Sequence, residues 1–355
     1  MTIIEPPPAT REAGGWPKLL RADPLPWLLE PSTPAVRHAA LRDLLDRPAN
    51  DPEVAEARRA AMAADPIAAI LAAQQRDGYW EKPGAGYATK YRGTVWQIIF
   101  LDQLGANPAD ERVQRACDYV LGHSIAATGA FGASGQLHRQ PPPSAALHCL
   151  NGNLLRAVLG FGRLEDERVQ GAIEWQARAI TGEGVERWYA SGTSGPGFAC
   201  AANEGLPCGW GAVKAMLGLA RIPEGRRSPL TARAIDAGVA FLLSRDPATA
   251  DYPMGWGNTR PNGSWFKLGF PSGYVTDVLQ VLEALVELGH GADPRLARAR
   301  AWLLAMQDDR GRWRNQYAYN GKTWVDFERQ GEPSKWVTLR ALRVLRALAV
   351  SDGGR

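Results

Sequence analysis

A phrase that recurs along the chain constrains its fold more than any single motif. An apolar stretch ends in Leu-Gly or a close variant, a short polar turn follows, and Asp-x-Arg-Val or a similar string opens the next stretch. The clearest copies are 101–113, 157–169 and 286–296, and weaker copies are 41–54 and 215–230. The anchoring leucines recur at intervals of 55 to 71 residues: Leu44, Leu104, Leu159, Leu217, Leu288 and Leu348. Such a period indicates one structural unit copied along the chain.

Each copy has the signals of a helical hairpin. Glycine after leucine is typical of a helix C-terminus, where a left-handed backbone is needed, and the acidic residue that follows suits the start of the next helix. The first helix of each pair is almost free of polar residues, and the second is amphipathic, as in 294–307. An open solenoid is the simpler alternative, but these units are long for that class and the apolar helices would line an exposed groove. The pattern therefore predicts an all-α fold in which inner and outer helices form a closed double ring.

Tryptophan supplies a second repeated motif. The chain has 13 tryptophans, and two of them end the string Gln-x-x-x-Gly-x-Trp, at Gln74 to Trp80 and at Gln307 to Trp313. This string resembles the QW motif of squalene cyclases and the related repeat of protein prenyltransferase β-subunits. We expect the tryptophans at or near the ends of outer helices to tie neighbouring hairpins together rather than to contact a ligand: Trp80, Trp175, Trp188, Trp302 and Trp313.

The resemblance implies an (α/α)6 toroid with a central cavity. We expect an extended N-terminal segment (1–33), one toroid domain (34–350) and a disordered tail (351–355). It further implies a terpene cyclase or prenyltransferase type of enzyme acting on an isoprenoid-like, apolar substrate. The Asp-x-Asp-Asp and Asp-Asp-x-x-Asp motifs of terpene chemistry are absent from the sequence. Protein prenyltransferases need a second subunit, so a partner subunit stays an open alternative.

Asp277 is the candidate catalytic acid. It lies in an otherwise apolar stretch, 11 residues before Leu288, which is the same distance as from His148 to its own anchor, Leu159. A buried carboxyl group there would have a raised pKa and could serve as a general acid. The alternative is an aspartate that caps its helix.

The zinc-dependent members of the resembling families suggest a second function, activation of a thiol. His148 and Cys149 begin the third apolar helix, Cys208 begins the fourth, and Cys200 precedes it by eight residues. These four residues are the candidate zinc ligands. The alternative is that they are buried thiols and a hydrogen-bonded histidine, because free cysteine is among the most buried residue types.

Aromatic residues at the starts of apolar helices, and in the long loop before the fifth, are candidates for a substrate cavity. A cavity lined with aromatic faces suits an apolar ligand or a cationic intermediate. Core filling is the alternative. The candidate lining residues are Trp96, Trp210, Trp256, Trp265, Tyr274 and Trp336.

Charge and hydropathy exclude other classes. The net charge of +4 has no Lys/Arg block, which argues against nucleic acid as a partner. No run of 18 apolar residues occurs, so we expect no transmembrane segment, with peripheral membrane contact left open. The first 15 residues lack the apolar run of a signal peptide, and we expect a cytoplasmic protein. Three functions remain: a cyclase-like or prenyl-transfer enzyme, a zinc-dependent thiol-activating enzyme, and a non-catalytic ligand-binding toroid.

Overall fold

The computed structural model describes residues 16–135, 137–185, 193–249 and 260–352. Helices make up nearly all the regular structure of the described chain, and one short antiparallel pair joins β1 (Trp313–Arg314) to β2 (Pro333–Ser334). The helices are α1 (Leu25–Leu28), α2 (Pro34–Asp43), α3 (Pro52–Ala63), α4 (Ile67–Ala72), α5 (Thr94–Gln103), α6 (Glu111–His123), α7 (His148–Gly160), α8 (Glu167–Thr181), α9 (Gly209–Leu219), α10 (Pro229–Leu243), α11 (Val278–Glu287), α12 (Ala297–Ala305) and α13 (Lys335–Asp352).

Six helices form an inner ring: α2, α5, α7, α9, α11 and α13. Each of the pairs α5–α7, α7–α9, α9–α11 and α11–α13 is in contact, and α13 returns to α2. One central cavity is lined by α2, α5, α7, α11 and α13 and by the two residues that follow α9, so α2 and α5 both face it. The apolar stretches of the sequence form these helices, and in α5 the run 94–101 is buried without interruption. The structure thereby confirms the all-α toroid with inner and outer helices.

Three helical segments of the outer layer begin at the acidic residue of the repeat. Asp110 and Asp166 are the N-cap residues of α6 and α8, and each carboxylate accepts a hydrogen bond from a backbone N–H two residues ahead. Asp293 caps the turn before α12 in the same way. The arginine two residues on binds back to the aspartate in all three copies. The Asp-x-Arg string is therefore a helix-starting device.

Glycines in the left-handed region end three inner helices. Gly105 (φ 70°) follows α5 and Gly289 (φ 85°) follows α11, as the Leu-Gly pattern predicts. In the copy 157–169 the glycine directly after leucine, Gly160, is still helical, and the left-handed residue is Gly162 (φ 81°). The helix there ends at Gly160, one residue past the predicted end, and Phe161 is its C-cap residue.

The two tryptophans of the Gln-x-x-x-Gly-x-Trp strings are equivalent in structure. Trp80 and Trp313 are fully buried, and each indole N–H donates to a helix carbonyl ten residues earlier, Ile70 at 2.7 Å and Leu303 at 2.8 Å. These contacts give both rings a structural role. Trp188 lies outside the described residues.

The glutamines of the same strings join neighbouring units. The Gln74 side chain donates to the carbonyl of Arg112 on the next outer helix, at 2.9 Å. The Gln307 side chain accepts from the backbone N–H of Arg21 at 3.1 Å. The turn Trp16–Leu19 and α1 pack on α13, so the first described residues complete the outer layer beside the last helix. The predicted division of the chain at residue 34 stays a prediction.

Candidate functional site

A cluster of aromatic rings fills the ring interior at the amino ends of the inner helices. Trp96 of α5 lies at its centre, with ring centroids 5.2 Å from Tyr87, 5.0 Å from Tyr91 and 6.1 Å from Tyr274. Tyr91 in turn packs on Tyr319 at 4.1 Å. These rings come from three separate loops and one helix, and together they form what we call the aromatic cluster, with Trp210 as a further member beside Tyr274.

One edge of the aromatic cluster reaches the surface. Trp96 and Tyr319 are buried, whereas Tyr87, Tyr274 and Trp210 are only half-buried. The exposed Lys90 covers this edge, with its Nζ 4.8 Å from the Tyr274 ring centre and 5.2 Å from that of Tyr87. Aromatic faces attract cations in this geometry, so the edge is already suited to positive charge.

Asp277 begins α11 beside this cluster, three residues after Tyr274. Its side chain is 3% exposed, and Oδ1 accepts a hydrogen bond from the backbone N–H of Gln280 at 2.9 Å. Burial raises the pKa of Asp277, and the opposing effects of Arg340 and Gln280 are smaller. The residue is thus a helix cap, as the simpler interpretation predicts, and also a buried carboxyl group that favours its protonated form.

Below Asp277 the ring interior is polar. Lys214 of α9 is 1% exposed and donates from Nζ to the side-chain oxygen of Gln280. Burial lowers the pKa of Lys214 to about 7, with Asp277 acting in the opposite direction. Further down, Arg340 binds both carboxylate oxygens of Glu283, at 2.7 and 2.6 Å, and both side chains are buried. Burial tends to raise the pKa of Glu283, but its attraction to Arg340 outweighs this and holds it below the usual value.

The residues between Leu268 and Asp277 run through the ring interior, and we call them the lumen segment. The carbonyl of Gly269 accepts from Arg340, and Phe270 stacks on Trp336 at 4.7 Å. The backbone of Ser272 exchanges two hydrogen bonds of 2.7 Å with the Gln103 side chain of α5. Leu268, Phe270 and the stretch 275–277 are buried. The lumen segment therefore contacts α5 and α13, two inner helices that are not neighbours in the ring.

His148 is held by protein contacts on both ring nitrogens. It begins α7, as predicted, and Nε2 lies 2.9 Å from the carbonyl oxygen of Gly195 while Nδ1 lies 2.9 Å from the side-chain nitrogen of Gln176. Burial lowers the pKa of His148 to about 4, so the imidazole is neutral at pH 7. With both nitrogens engaged, His148 has no lone pair left for a metal in this conformation.

Three thiols lie near one another at the amino ends of α7 and α9: Cys149, Cys200 and Cys208. A hydrogen bond from Cys208 lowers the pKa of Cys200 to about 6, and the same bond raises that of Cys208. Burial raises the pKa of Cys149 to about 11. Within the described ranges no three His, Cys, Asp or Glu side chains adopt an arrangement that could hold a metal ion. The four predicted zinc ligands therefore do not form a ready site, and zinc binding stays a prediction.

The remaining predicted cavity residues lie apart from the aromatic cluster or outside the described chain. Trp336 stacks on Phe270 and lines the cavity on the far side of the lumen segment. Trp265 is fully buried and its indole N–H donates to the carbonyl of Pro247 at 3.0 Å, so it fixes the connection after α10. Trp256 lies outside the described residues.

Several residues of the site were not anticipated from the sequence. Tyr87, Tyr91 and Tyr319 come from irregular loops, where no periodicity marks them as neighbours. Lys214 and Glu283 had a signal, because each is a single charge within a run of apolar residues on an inner helix. Such a charge has to be paired or partly neutralised once the helix is buried.

The chain matches no protein-family model and no curated protein. Among solved structures it is similar to the apo type II terpene cyclase MstE from Scytonema, with 16% identity over 84% of this chain and 98% of the other, at a TM-score of 0.30. A variant of MstE in complex with geranylgeranyl dihydroxybenzoate has 15% identity, over 84% of this chain and 97% of the other, at a TM-score of 0.32. A protein from Actinoplanes has 13% identity, over 84% of this chain and 99% of the other, at a TM-score of 0.28. These scores are low, and the fold assignment rests on the helix contacts described above.

Proposed function

We propose that the chain is a terpenoid-cyclase-like enzyme that binds an isoprenoid-like, apolar substrate at the aromatic cluster, with Asp277 as the general acid. The observation that carries the proposal is a buried carboxyl group with a raised pKa, three residues from a ring whose face is half-exposed. The half-buried edge formed by Tyr87, Tyr274 and Trp210 would receive the substrate. Displacement of the Lys90 side chain opens that edge, since Lys90 is exposed and rests there against aromatic faces.

The chemistry begins with transfer of one proton. The O–H bond of the protonated Asp277 breaks, its proton forms a new C–H bond at an alkene carbon, and a carbocation remains on the substrate. Burial raises the pKa of Asp277, which favours the protonated acid that this step needs, while the backbone N–H of Gln280 stabilises the carboxylate after transfer. The faces of Tyr274 and Trp96 stabilise the cation. Loss of a proton from the cyclised cation returns a proton to the carboxylate and closes the cycle.

Substitution of Asp277 by asparagine tests this proposal. Asparagine is as good an N-cap as aspartate, so Asp277→Asn keeps the start of α11 while removing the acid. Purified protein is incubated with geranylgeraniol and with geranylgeranyl dihydroxybenzoate, and cyclised products of unchanged mass are sought by chromatography and mass spectrometry. We expect product from the wild-type chain and none from Asp277→Asn.

Asp293→Asn is the matched control, because Asp293 is also a capping aspartate but lies on the outer layer. It should convert substrate at the wild-type rate. Conversion by Asp277→Asn at that rate would remove Asp277 from the mechanism. If the wild-type chain binds the isoprenoid but does not convert it, the proposal that the chain is an enzyme is wrong and the non-catalytic toroid is favoured. The tight packing of the aromatic rings supports that alternative.

The zinc-dependent alternative keeps one supporting observation. Cys200 has a thiol with a lowered pKa next to two further thiols, and thiolate is the form that binds zinc. His148 does not fit a ligand role in this conformation, so the proposal rests on the cysteines. Metal analysis of protein purified without chelator distinguishes this function from the cyclase, which needs no zinc.

A further inference from the structure

The central cavity lies on the carboxyl-end side of the inner helices, and we call it the second chamber to distinguish it from the site at the aromatic cluster. It has a volume of about 690 Å³ and is lined by residues from five of the six inner helices, by the two residues that follow α9 and by Arg58 of the outer helix α3. That volume is in the range of small-molecule sites. Ser272 of the lumen segment lines this chamber, whereas the neighbouring Gly273 lies against Trp96 and Tyr319 of the aromatic cluster. The lumen segment thus lies between this chamber and the aromatic cluster, and the chamber is not part of the site proposed above.

Positive charge is in excess in this chamber. Its lining includes six arginines, four carboxylates and one histidine. The carboxylates are matched one to one by arginines, in the pairs Arg340–Glu283, Arg343–Asp43, Arg156–Glu287 and Arg221–Asp102. Arg42 and Arg58 are left without a carboxylate within ion-pair distance in the described part of the chain.

The excess is concentrated on one wall, formed by α2, α3 and α13. Arg42 donates to the carbonyl of Arg47, while Arg58 has no hydrogen-bond partner among the described residues and its Nε–H is buried. His38 lies one helical turn before Arg42 on α2. Burial and then the charge of Arg58 lower the pKa of His38 to about 4, with Arg42 and Arg343 acting in the same direction and Asp43 against it. The imidazole on this wall is therefore neutral in a positive environment.

Guanidinium groups of this kind match a particular ligand chemistry. The planar fork of arginine presents parallel N–H donors to carboxylate or phosphate oxygens, and such hydrogen bonds are about twice as strong as neutral ones. The carboxyl ends of helices attract cations, which accounts for arginines that bind carbonyls, as Arg42 does. Arg58 binds neither a carbonyl nor a carboxylate in the described chain, so no contact within that part of the protein pairs with its positive charge.

We propose that the second chamber binds a small molecule bearing a phosphate or carboxylate group, held between Arg58, Arg42 and Arg343 on the α2–α3–α13 wall. The neutral His38 adds one hydrogen bond to the anion. These three arginines lie on α2, α3 and α13, so an anion bound between them links the outer helix α3 to the inner ring. This site is independent of the cyclase proposal, because its residues and those of the aromatic cluster lie on opposite sides of the lumen segment.

Calorimetric titration with pyrophosphate and with succinate, at low and constant ionic strength, tests the proposal and distinguishes the two anion classes. Arg58→Met removes the unpaired guanidinium without leaving a carboxylate unpaired, and should weaken binding of the preferred anion about tenfold or more. Arg59→Met is the matched control, since Arg59 is the next residue, is exposed, and pairs with Glu56 on the outer face. It should bind within about twofold of wild type.

Three results would overturn the inference: neither anion binds, Arg58→Met binds like wild type, or Arg59→Met loses as much affinity as Arg58→Met. Asp277→Asn should bind the anion as tightly as wild type. Failure of the cyclase test together with a tenfold effect of Arg58→Met would therefore reject the proposed function while supporting this site. The thermal unfolding midpoint of each variant, measured without anion, confirms that both arginine variants are folded.

Discussion

The backbones of the inner helices α7 and α9 touch each other, and this contact depends on two glycines. A Cβ atom built on Gly152 of α7 would lie 2.3 Å from the carbonyl carbon and oxygen of Lys214 and 2.5 Å from the nitrogen of Ala215. A Cβ on Gly218 of α9 would lie 2.6 Å from the carbonyl oxygen of Gly152. These are backbone atoms, which cannot rotate away as a side chain can. The missing methyl groups are what let the two backbones touch.

Gly152→Ala should therefore destabilise the fold although alanine favours helix. Non-bonded carbon atoms rest about 3.5–4.0 Å apart, so the helices would have to separate by more than about 1 Å. Forcing an extra methyl group into a packed core costs about 1–3 kcal/mol, and here no rotamer change relieves the contact. The gain of about 1 kcal/mol from helix propensity offsets part of this cost. Because the contact is with backbone atoms, the cost should lie at the upper end of that range, about 3 kcal/mol, so we expect a net loss of about 2 kcal/mol in the free energy of unfolding.

Gly171→Ala provides the matched control. Gly171 lies inside the outer helix α8, and the nearest atom to the position that its added methyl group would take is 3.8 Å away, an ordinary contact. It should stabilise the chain by about 0.5–1 kcal/mol, since only the helix preference changes. Both variants are measured by urea unfolding followed by circular dichroism. A Gly152→Ala protein as stable as Gly171→Ala would refute the reasoning, because it would show that α7 and α9 are not held in backbone contact.

Two further predictions concern the thiols and the buried ion pair. At pH 7, iodoacetamide should alkylate Cys200 much faster than Cys117, as measured by mass spectrometry. The Cys208 hydrogen bond lowers the pKa of Cys200 to about 6, whereas burial raises that of Cys117 to about 12. Removing the bond with Cys208→Ala should therefore move the pH midpoint of Cys200 alkylation upward. Equal rates for the two cysteines would contradict the assignment. Arg340→Met should cost about 3–5 kcal/mol at neutral pH in urea unfolding, whereas Glu283→Leu combined with Arg340→Met should be close to wild type. Pairing with Arg340 lowers the pKa of Glu283 in the folded state. The ion pair therefore stabilises the fold fully above the pKa of an unfolded glutamate, about 4.3, and this stabilisation is lost as the pH falls through the lower pKa of the folded state. The cost of Arg340→Met should accordingly be smaller in acid.

The inner helices and their ends could be predicted from neighbouring residues alone. A helix that is buried on all sides gives an unbroken apolar run, and a capped turn gives a short string of characteristic residues. Leu104 and Leu288 do end their helices, and His148 and Cys208 stand at helix starts. The role of His148 could not be predicted, because its partners Gln176 and Gly195 are 28 and 47 residues away. Contacts at such separations depend on how units stack, and a repeat spacing does not encode side-chain direction.

The candidate site is hardest to predict where it is built from loops. Trp96 and Tyr274, two of the predicted cavity residues, are in ring contact, and their use by a substrate stays a prediction. The tyrosines that complete the cluster lie in segments without periodicity. Glycine and proline residues there predict that the chain turns, but not the path that the loop takes. Trp265 resembled a cavity residue by its position in the long loop, yet its N–H binds the carbonyl of Pro247 and the ring serves the core.

The lumen segment bears on whether the two proposed sites could share one ligand. Gly273 is pinned on both backbone groups, its carbonyl by Asn153 at 3.1 Å and its N–H by the hydroxyl of Tyr319 at 3.2 Å, while Ser272 is pinned by Gln103. A single elongated ligand with an apolar chain and an anionic head would have to break these bonds to reach from the aromatic cluster to Arg58. Breaking them would leave buried backbone groups without partners, at a cost of about 1–3 kcal/mol each. Two separate ligands need no such rearrangement, and the fold therefore favours an apolar molecule and a small anion bound independently at opposite ends of the ring.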